Sequence, residues 1–421
     1  MISSIRSLVV RPHVTVRLRV VGYLCVSLFA ARAAAADRPS PKAAVVASNK
    51  FGFELYARLE RNANTVCSPV SASIALTMAW TGARGQTRHE MGRVLALGSS
   101  EPAKIYPASA ALLDTLNGRD GKEGVALQIA DRLWAQQGLP LQPDYLRLLR
   151  DRYRAPLQSL DFIAATEEAR VTINRWGAIQ THDRIPEVLQ RGDVDTLTRF
   201  VITNAVYFKA AWSRPFHKDQ TTDGTFKTPA GEVVAKMMHR GASNYRYARA
   251  RDVQILELDY LGGLSMVVVL PDKADGLDAV ERRLGDSHQQ WLDALDDKLI
   301  DLELPRWTVR SRLPLSDSLR AMGMPTAFTP AADFSGIART GPLFIHRVLQ
   351  EAFVDVDEGG TEAAAVTAVV GGSVSDVIPT HQPIPFHADH PFLYLIRDKA
   401  TRAVLFIGRV VDPRYQGTGG R

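Results

Sequence analysis

Residues 357–375 read Asp-Glu-Gly-Gly-Thr-Glu-Ala-Ala-Ala-Val-Thr-Ala-Val-Val-Gly-Gly-Ser-Val-Ser, and this stretch decides how the rest of the chain is interpreted. From Ala363 to Ser375 it contains no charged residue and no proline, and it is rich in small and β-branched residues. An exposed segment of this kind is normally interrupted by charges or prolines, which suppress aggregation through strand edges. The stretch is therefore too apolar for an ordinary surface loop.

In an extended conformation, alternate residues of this stretch point to opposite faces. One face carries only small or β-branched residues: Thr361, Ala363, Ala365, Thr367 and Val369. The other face carries Glu362, Ala364, Val366, Ala368 and Val370. Two interpretations fit the residues alone. The stretch is an ordinary buried strand, or it is a strand kept outside as a loop and able to enter a sheet later.

The charge of the chain is concentrated at its start. The 421 residues are 46% hydrophobic and 23% charged, a globular composition, and the formal net charge is +6. Five arginines and no acidic residue occur in residues 1–36, which leaves a net charge of +1 for residues 37–421. A nearly neutral body has no general attraction for phosphates, so we predict no nucleic-acid partner.

Residues 1–36 have the pattern of a secretory signal peptide. A basic region runs to Arg19, an apolar region follows from Val20 to Ala30, and small residues then offer several cleavage sites. The apolar region is too short to span a bilayer, so we expect a secreted, extracellular or periplasmic protein with no membrane anchor after cleavage. Cleavage would leave Cys67 as the single cysteine, which excludes an intramolecular disulfide.

The patterning of the remaining chain predicts one mixed domain. An apolar helix is expected from Ser71 to Trp80, in a first half with mostly helical spacing. The second half favours strands, including a hairpin that turns at Gly262-Gly263 into Leu264–Leu270 and a doubly buried strand within Ala403–Val411. No linker rich in Pro, Gly or Ser divides the chain, so residues 37–421 are predicted to form a single α+β domain.

Signatures of catalysis do not occur in the sequence. The run Gly371–Ser375 has the wrong spacing for a G-x-S-x-G nucleophile turn, and no P-loop, dinucleotide-binding glycine motif or H-E-x-x-H zinc motif is present. His381, His387 and His390 lack an accompanying carboxylate pattern. We therefore predict no metal site, no cofactor and no enzyme activity.

The stretch Asp357–Ala365 resembles the hinge of the serpins, and further motifs similar to that family follow one another in the expected order. They are Asn64–Ser71, Gly82–Thr87, Thr203–Lys209 with Trp212 and Pro215-Phe216, Leu304–Arg306, Ala332–Ile337, Asp389–Phe392 and Leu405–Val410. Each motif is weak alone, but together they cover nearly the whole of residues 37–421. The Ala- and Arg-rich leader is typical of a bacterial secreted member.

The resemblance implies an α+β fold in one serpin-type domain, with three β-sheets, about nine helices and an exposed reactive loop at about residues 358–380. In serpins a target protease attacks this loop and forms an acyl-enzyme, and the cut loop enters the largest sheet as a new strand. The protease is distorted before it deacylates, so the serpin is consumed as a suicide substrate. The implied partner is a serine protease in a covalent 1:1 complex, with cysteine proteases as further targets. The molecule itself is expected to be a monomer with a risk of polymerisation.

The resemblance also places a hinge and a bond. The implied hinge residues are Glu358, Gly360, Thr361, Ala363, Ala364 and Ala365. Counting from this hinge puts the attacked bond at Val374–Ser375, and Val374 suits the small specificity pocket of an elastase-like protease. Counting back from Pro391 favours a bond near Thr380 instead. We prefer the hinge count because insertion depends on the length of the hinge.

Two supporting groups are implied as well. Arg306 and Glu358 should pair at the top of the largest sheet near Trp212, although the residues alone are also compatible with two solvated surface charges. A second group should form a hydrogen-bonded cluster where the sheet opens, with an amide in place of the histidine usual in the family: Ser68, Ser71, Asn204 and Gln350.

Two other functions stay open on the sequence alone. A serpin-fold binding or carrier protein that does not trap proteases would be favoured by proline or charge in the hinge, where Glu362 is the one charged residue after Glu358. An unrelated secreted hydrolase would need a nucleophile–base signature. Regulation by polyanions is not favoured, because no basic run occurs in the nearly neutral body.

Overall fold

The computed structural model of the protein describes residues 40–98, 102–153, 157–339, 343–361 and 382–414. By their contacts, the described residues from Pro41 onward form one compact unit. The expected leader and most of the expected reactive loop lie outside the described residues. Within the described ranges, no helix is long and apolar enough to cross a membrane.

Eight α-helices occur in the described ranges. They are α1 (Lys42–Tyr56), α2 (Pro69–Gly82), α3 (Gly85–Val94), α4 (Pro102–Asn117), α5 (Pro143–Leu148), α6 (Thr166–Gln180), α7 (Leu277–Asp293) and α8 (Ser316–Met322). The helix expected at Ser71–Trp80 is confirmed as α2. Every residue of α2 is buried, which accounts for its continuously apolar sequence.

Fifteen strands form two hydrogen-bonded sheets in the same ranges. The strands are β1 (Thr65–Cys67), β2 (Val125–Gln136), β3 (Gln158–Leu160), β4 (Phe200–Ala211), β5 (Thr221–Thr228), β6 (Gly231–Ala250), β7 (Val253–Asp259), β8 (Leu264–Pro271), β9 (Asp296–Pro305), β10 (Trp307–Pro314), β11 (Arg347–Asp357), β12 (Gly360–Thr361), β13 (Ile384–His387), β14 (Phe392–Asp398) and β15 (Val404–Val410). One sheet has six strands in the order β10-β11-β12-β4-β2-β3. The other has nine, in the order β1-β15-β14-β8-β7-β6-β9-β13, with β5 also paired to β6.

The nine-stranded sheet has two segments that meet along the 20-residue strand β6. The pairing of β6 with β9 shifts register between Arg240 and Ser243. The first half of β6 pairs with β5 and the second half with β7. These two segments and the six-stranded sheet correspond to the three sheets that were expected, and the α+β fold class is confirmed.

The strand predictions of the second half are also confirmed. β7 and β8 form an antiparallel hairpin, and its turn is made by Gly262 and Gly263, whose φ angles of +71° and +74° favour glycine. All seven residues of β15 are buried, as the continuous apolar run within Ala403–Val411 predicts.

The six-stranded sheet has apolar neighbours on both faces. Its inner face, which carries Ile202, Val206, Val348 and Ala352, belongs to the large core that includes α2. Its outer face belongs to a separate apolar cluster, whose main members are Trp134, Phe162, Ile173, Trp176, Val201, Ala205 and Leu349 and which includes residues of α6. A strand entering the middle of this sheet would therefore be buried on its inner face, and on its outer face only beside this cluster, because Lys209, Phe353 and Asp355 are half-buried.

Candidate functional site

Two neighbouring strands at the centre of the six-stranded sheet run parallel and are only partly joined. Residues Arg347–Ala352 of β11 pair directly with Val201–Val206 of β4. Beyond this paired region, the two-residue strand β12 lies between β11 and β4. The centre of the sheet is thus closed at one end and occupied by a short segment at the other.

The segment between the two strands is the start of the expected hinge. Gly360 pairs with Asp357 of β11 and with Ala211 of β4, and both pairings are antiparallel. Thr361 likewise pairs with Val356 and Ala210. The first two residues that follow the turn at the end of β11 are therefore already part of the sheet.

The position of Gly360 admits only glycine. Its φ is +146°, and an added Cβ would lie 2.2 Å from the carbonyl oxygen of Ala210 and 2.8 Å from the Cα of Ala211. These are backbone atoms of β4 and cannot turn aside as a flexible side chain could. The close approach of the hinge to β4 therefore depends on the missing side chain.

Thr361 points to the inner face of the sheet and is fully buried. Its hydroxyl lies 2.6 Å from that of Tyr260, whose ring stacks on Trp212 with centroids 4.2 Å apart. Sequence reasoning missed Tyr260, because a strand pattern does not show which aromatic ring meets a distant loop. The contact fixes which face of the hinge enters the core.

Trp212 holds the turn that leads into β12. Its indole Nε1 donates to the carbonyl oxygen of Asp357 at 3.0 Å, and its backbone N–H donates to that of Gly359 at 2.9 Å. The carboxylate of Asp357 accepts the backbone N–H of Gly359 at 2.8 Å. The hinge thus starts from a turn with a defined conformation.

Glu358 and Arg306 lie together at this turn. Arg306 Nε donates to Glu358 Oε1 at 2.7 Å, and the hydroxyl of Thr221 donates to the same oxygen. The Glu358 side chain is only 2% exposed, whereas that of Arg306 is 41% exposed. Burial acts to raise the pKa of the Glu358 carboxyl, but these hydrogen bonds hold it below its usual value. Glu358 is therefore a buried anchor of the hinge and not a solvated surface charge.

A polar cluster crosses the line between β4 and β11 within the directly paired region. Gln350 of β11 and Asn204 of β4 are register partners, and Gln350 Nε2 donates to Asn204 Oδ1 at 2.7 Å. Gln350 also accepts the backbone N–H of Ser68 at 2.8 Å and donates to its carbonyl oxygen at 2.9 Å. The side-chain oxygen of Ser68 is buried without a hydrogen-bond partner, so Ser68 joins the cluster through its backbone only.

The cluster contains a carboxylate that sequence reasoning missed. Asp131 of β2 accepts hydrogen bonds on Oδ1 from the hydroxyl of Ser71 at 3.2 Å and from Asn204 Nδ2. A signal was present in the sequence, because Asp131 falls on the apolar face of the alternating run Val125–Leu133. Burial raises the pKa of its carboxyl to about 7, against the opposing effect of the hydrogen bonds from Asn204 and Ser71.

Several expected site residues lie outside the described residues. They are Ala363, Ala364, Ala365, Val374 and Ser375, together with the alternative bond near Thr380 and the histidine at position 381. His390 lies between the carboxylate of Asp389 and the carbonyl oxygen of Pro271. In the ranges that the structure covers, no group of three histidine, cysteine or acidic side chains is arranged to hold a metal ion.

These features define a protein whose main sheet has two central parallel strands, paired directly at one end and separated by the start of the hinge at the other. A family model described as Serpin (serine protease inhibitor) matches residues 46–413. An uncharacterized serpin-like protein of Thermococcus kodakarensis is 38% identical over 376 residues, which cover 89% of this chain and 86% of the relative. The leukocyte elastase inhibitor of Xenopus laevis is 34% identical over 382 residues, which cover 87% of this chain and 98% of the relative.

Solved structures agree with this match. The structure of human thyroxine-binding globulin has a TM-score of 0.78 at 29% identity, with 87% of this chain and 97% of that chain covered. The chain belongs to the serpin family, as the hinge motif predicted. Members of this family are in general protease inhibitors and not turnover enzymes, and the relatives of this chain include protease inhibitors.

We expect Gly360→Ala to expel β12 from the sheet. The methyl group would collide with the backbone of β4, and the positive φ alone costs about 1–3 kcal/mol for alanine. Amide hydrogen exchange at Trp212, whose N–H is bonded to Gly359, should become faster. Gly241→Ala is the control, because an added Cβ there meets nothing within 4 Å. Unchanged exchange at Trp212 in Gly360→Ala would show that the observed contact does not require glycine.

Proposed function

We propose that this serpin inhibits serine endopeptidases as a suicide substrate, by inserting its cut reactive loop between β4 and β11. The observation that carries the proposal is the register of β12. Val356 of β11 and Ala210 of β4 lie on either side of Thr361, and their residue numbers differ by 146. The residue numbers of the directly paired Gln350 and Asn204 differ by the same amount. Strands β4 and β11 therefore keep one register along their length.

This common register means that insertion needs no sliding of strands. The two strands have only to separate sideways by one strand spacing, about 4.8 Å. Extending β12 in register then gives each loop residue a defined pair of neighbours. On the inner face, Ala363 would lie between Val354 and Phe208, and Ala365 between Ala352 and Val206.

The neighbours on the inner face favour the residues that the loop supplies. Val354, Phe208, Ala352 and Val206 are all at most 1% exposed, so a strand between them must bring small, uncharged side chains. The next polar position on this face after Thr361 is Thr367, which would enter between Gln350 and Asn204 and exchange hydrogen bonds with their amides. The alternation read from the sequence thus fits the chemistry of both flanking strands.

The length of β11 supports a bond at Val374–Ser375. In register, Val370 reaches Arg347, the first residue of β11. Val374 would then lie four residues further, at most about 13 Å beyond the strand. A bond near Thr380 would leave a tether of ten residues, about 33 Å, which would hold the protease only loosely. A short tether favours distortion of the attached protease against the end of the sheet.

The chemistry itself belongs to the protease. Its serine hydroxyl attacks the carbonyl carbon of Val374, the bond to Ser375 breaks, and the amine of Ser375 leaves. Insertion then moves the acyl-enzyme before water can release it. Val374 fits a small apolar specificity pocket, so the proposed targets are elastase-like. The inhibitor of Xenopus laevis is named for leukocyte elastase, which supports this choice.

Export and assembly complete the proposal. The basic and apolar pattern of residues 1–36 supports secretion of the protein. A sheet that can accept its own loop can also accept the loop of a second copy, so the monomer carries a risk of polymerisation.

A carrier function is the second candidate. Thyroxine-binding globulin, seen in complex with thyroxine, has the same fold, and this chain has a cleft of about 630 Å³ between α1 and α7, lined partly by Val46, Phe53 and His288. The inhibitor proposal is favoured because the hinge already has residues in the sheet.

Mixing residues 37–421 with pancreatic elastase tests the function directly. We expect a complex stable to denaturation and a released peptide that begins at Ser375. Denaturing gels and N-terminal sequencing of the peptide report both results. Cleavage in the loop without any complex would contradict inhibition and favour the carrier function. A complex whose released peptide begins near His381 would keep the mechanism and move the bond.

A pair of hinge variants tests insertion. Thr361→Arg places a long cation on the buried inner face beside Tyr260, so the variant should be cleaved as a substrate with at least about a tenfold loss of complex. Glu362→Arg is the matched control, because alternation from Thr361 would place position 362 on the outer face of an inserted strand, and the position already carries a long charged side chain. Its yield of complex should stay close to that of the parent on the same gels. Equal yields for the two variants would contradict insertion by the inner face.

A further inference from the structure

Asp131 is an incompletely bonded carboxylate in the interior of the six-stranded sheet. Both hydrogen bonds that it accepts, from Ser71 and Asn204, end on Oδ1. Its Oδ2 atom is buried and has no hydrogen-bond partner. An ionised carboxylate in this position keeps one oxygen without solvation, which is costly.

The charged side chains of the surrounding strands point away from Asp131. On β2, β4 and β11 they occupy the positions that alternate to the outer face: Arg132, Lys209, Arg347, Glu351, Asp355 and Asp357. On the inner face, α2 contains no charged residue, and Asp114 of α4 is exposed. Burial is accordingly the main cause of the raised pKa of Asp131, and no charged group contributes to it.

The contacts of Asp131 extend to the line that must open. Asn204 donates to Asp131 through Nδ2 and accepts from Gln350 through Oδ1, so one amide joins the carboxylate to β11. The start of α2 touches both sides of the same line, because Ser68, the residue before the helix, is bonded to Gln350 of β11, and Ser71 accepts a hydrogen bond from Asn204 of β4. Separation of β4 from β11 must therefore rearrange the surroundings of this carboxylate.

We propose that Asp131 is a positioning residue whose protonation state sets how readily β4 separates from β11. The proposal rests on the insertion mechanism proposed above. Separation frees the Asn204 amide from Gln350 and lets water approach Oδ2, so the open sheet accommodates the ionised carboxylate better than the closed sheet does. Ionisation of Asp131 therefore promotes opening.

The direction of the pH dependence follows from this. The closed sheet binds the proton of Asp131 more tightly than the unfolded chain, in which an aspartate carboxyl titrates near pH 3.9, and on the proposal also more tightly than the open sheet. The stabilisation of the closed sheet is complete below that pH and is lost as the pH rises through about 7. Opening should become easier from mildly acidic to mildly alkaline solution.

The test measures uptake of a synthetic peptide with the sequence of residues 361–374 by the intact, uncut protein between pH 5.5 and 8.5. The rate of uptake should rise by up to about tenfold for each pH unit below about 7 and level off above it, because the carboxylate is then ionised in the closed sheet too. Asp131→Asn, which keeps the size and hydrogen-bonding capacity of the side chain, should give a flat profile. Glu351→Gln is the control. Burial raises the pKa of the Glu351 carboxyl to about 7 as well, against the lowering effect of Arg310 and Arg312, but this side chain lies on the outer face of the sheet.

Each outcome decides a separate claim. A flat profile for the parent protein, or the same rise in Asp131→Asn, would overturn the role of Asp131 while leaving insertion intact. Failure of uptake at every pH would instead contradict the insertion mechanism and, with it, this inference. If Asp131→Asn does not fold, carboxyl ¹³C resonances of the parent labelled at aspartate give the answer. One aspartate should titrate near pH 7, and the absence of any such titration between pH 6 and 8 would overturn the proposal.

Discussion

The parallel pairing of β4 with β11 is the constraint on which the rest of the structure depends. Six residues of each strand hold the sheet closed, and the bond between Gln350 and Asn204 adds a side-chain link across the same line. A strand inserted there would replace one hydrogen-bonded ladder by two. Since each backbone hydrogen bond contributes a net of about 0.5–1.5 kcal/mol, the proposed mechanism requires the closed sheet to be the less stable arrangement once a free strand can reach it.

The hinge is held at the other end of the same line. Trp212 and the buried Glu358 fix the turn, while Gly360 and Thr361 already occupy the space between the strands. The space between β4 and β11 is thus filled by β12 at one end and closed by direct pairing of the two strands at the other. In the proposed insertion, extension of β12 from the filled end would break the polar cluster of the closed end, and Thr367 would supply replacement hydrogen bonds.

The sequence predicted those parts of this arrangement that depend on local pattern. The hairpin at Gly262-Gly263 and the buried strand β15 follow from glycine conformation and apolar spacing. The stacking of Tyr260 under the hinge was not predictable, because its partner Thr361 is 101 positions away. The sequence places Asp131 on the apolar face of the alternating run Val125–Leu133. Only the structure shows that Asn204 connects its carboxylate to Gln350 of β11. Alternation along the loop also does not reveal that Gly360 and Thr361 already pair with β11 and β4.

Thermal unfolding of the protein before and after a single cut in the loop tests the central claim most directly. A protease that is not trapped supplies the cut, and the sheet is then free to take up the released strand. The account predicts that the unfolding midpoint rises by at least about 10 °C, because a central strand hydrogen-bonded to both β4 and β11 is gained. A midpoint that stays the same or falls, as for an ordinary nicked surface loop, would contradict it.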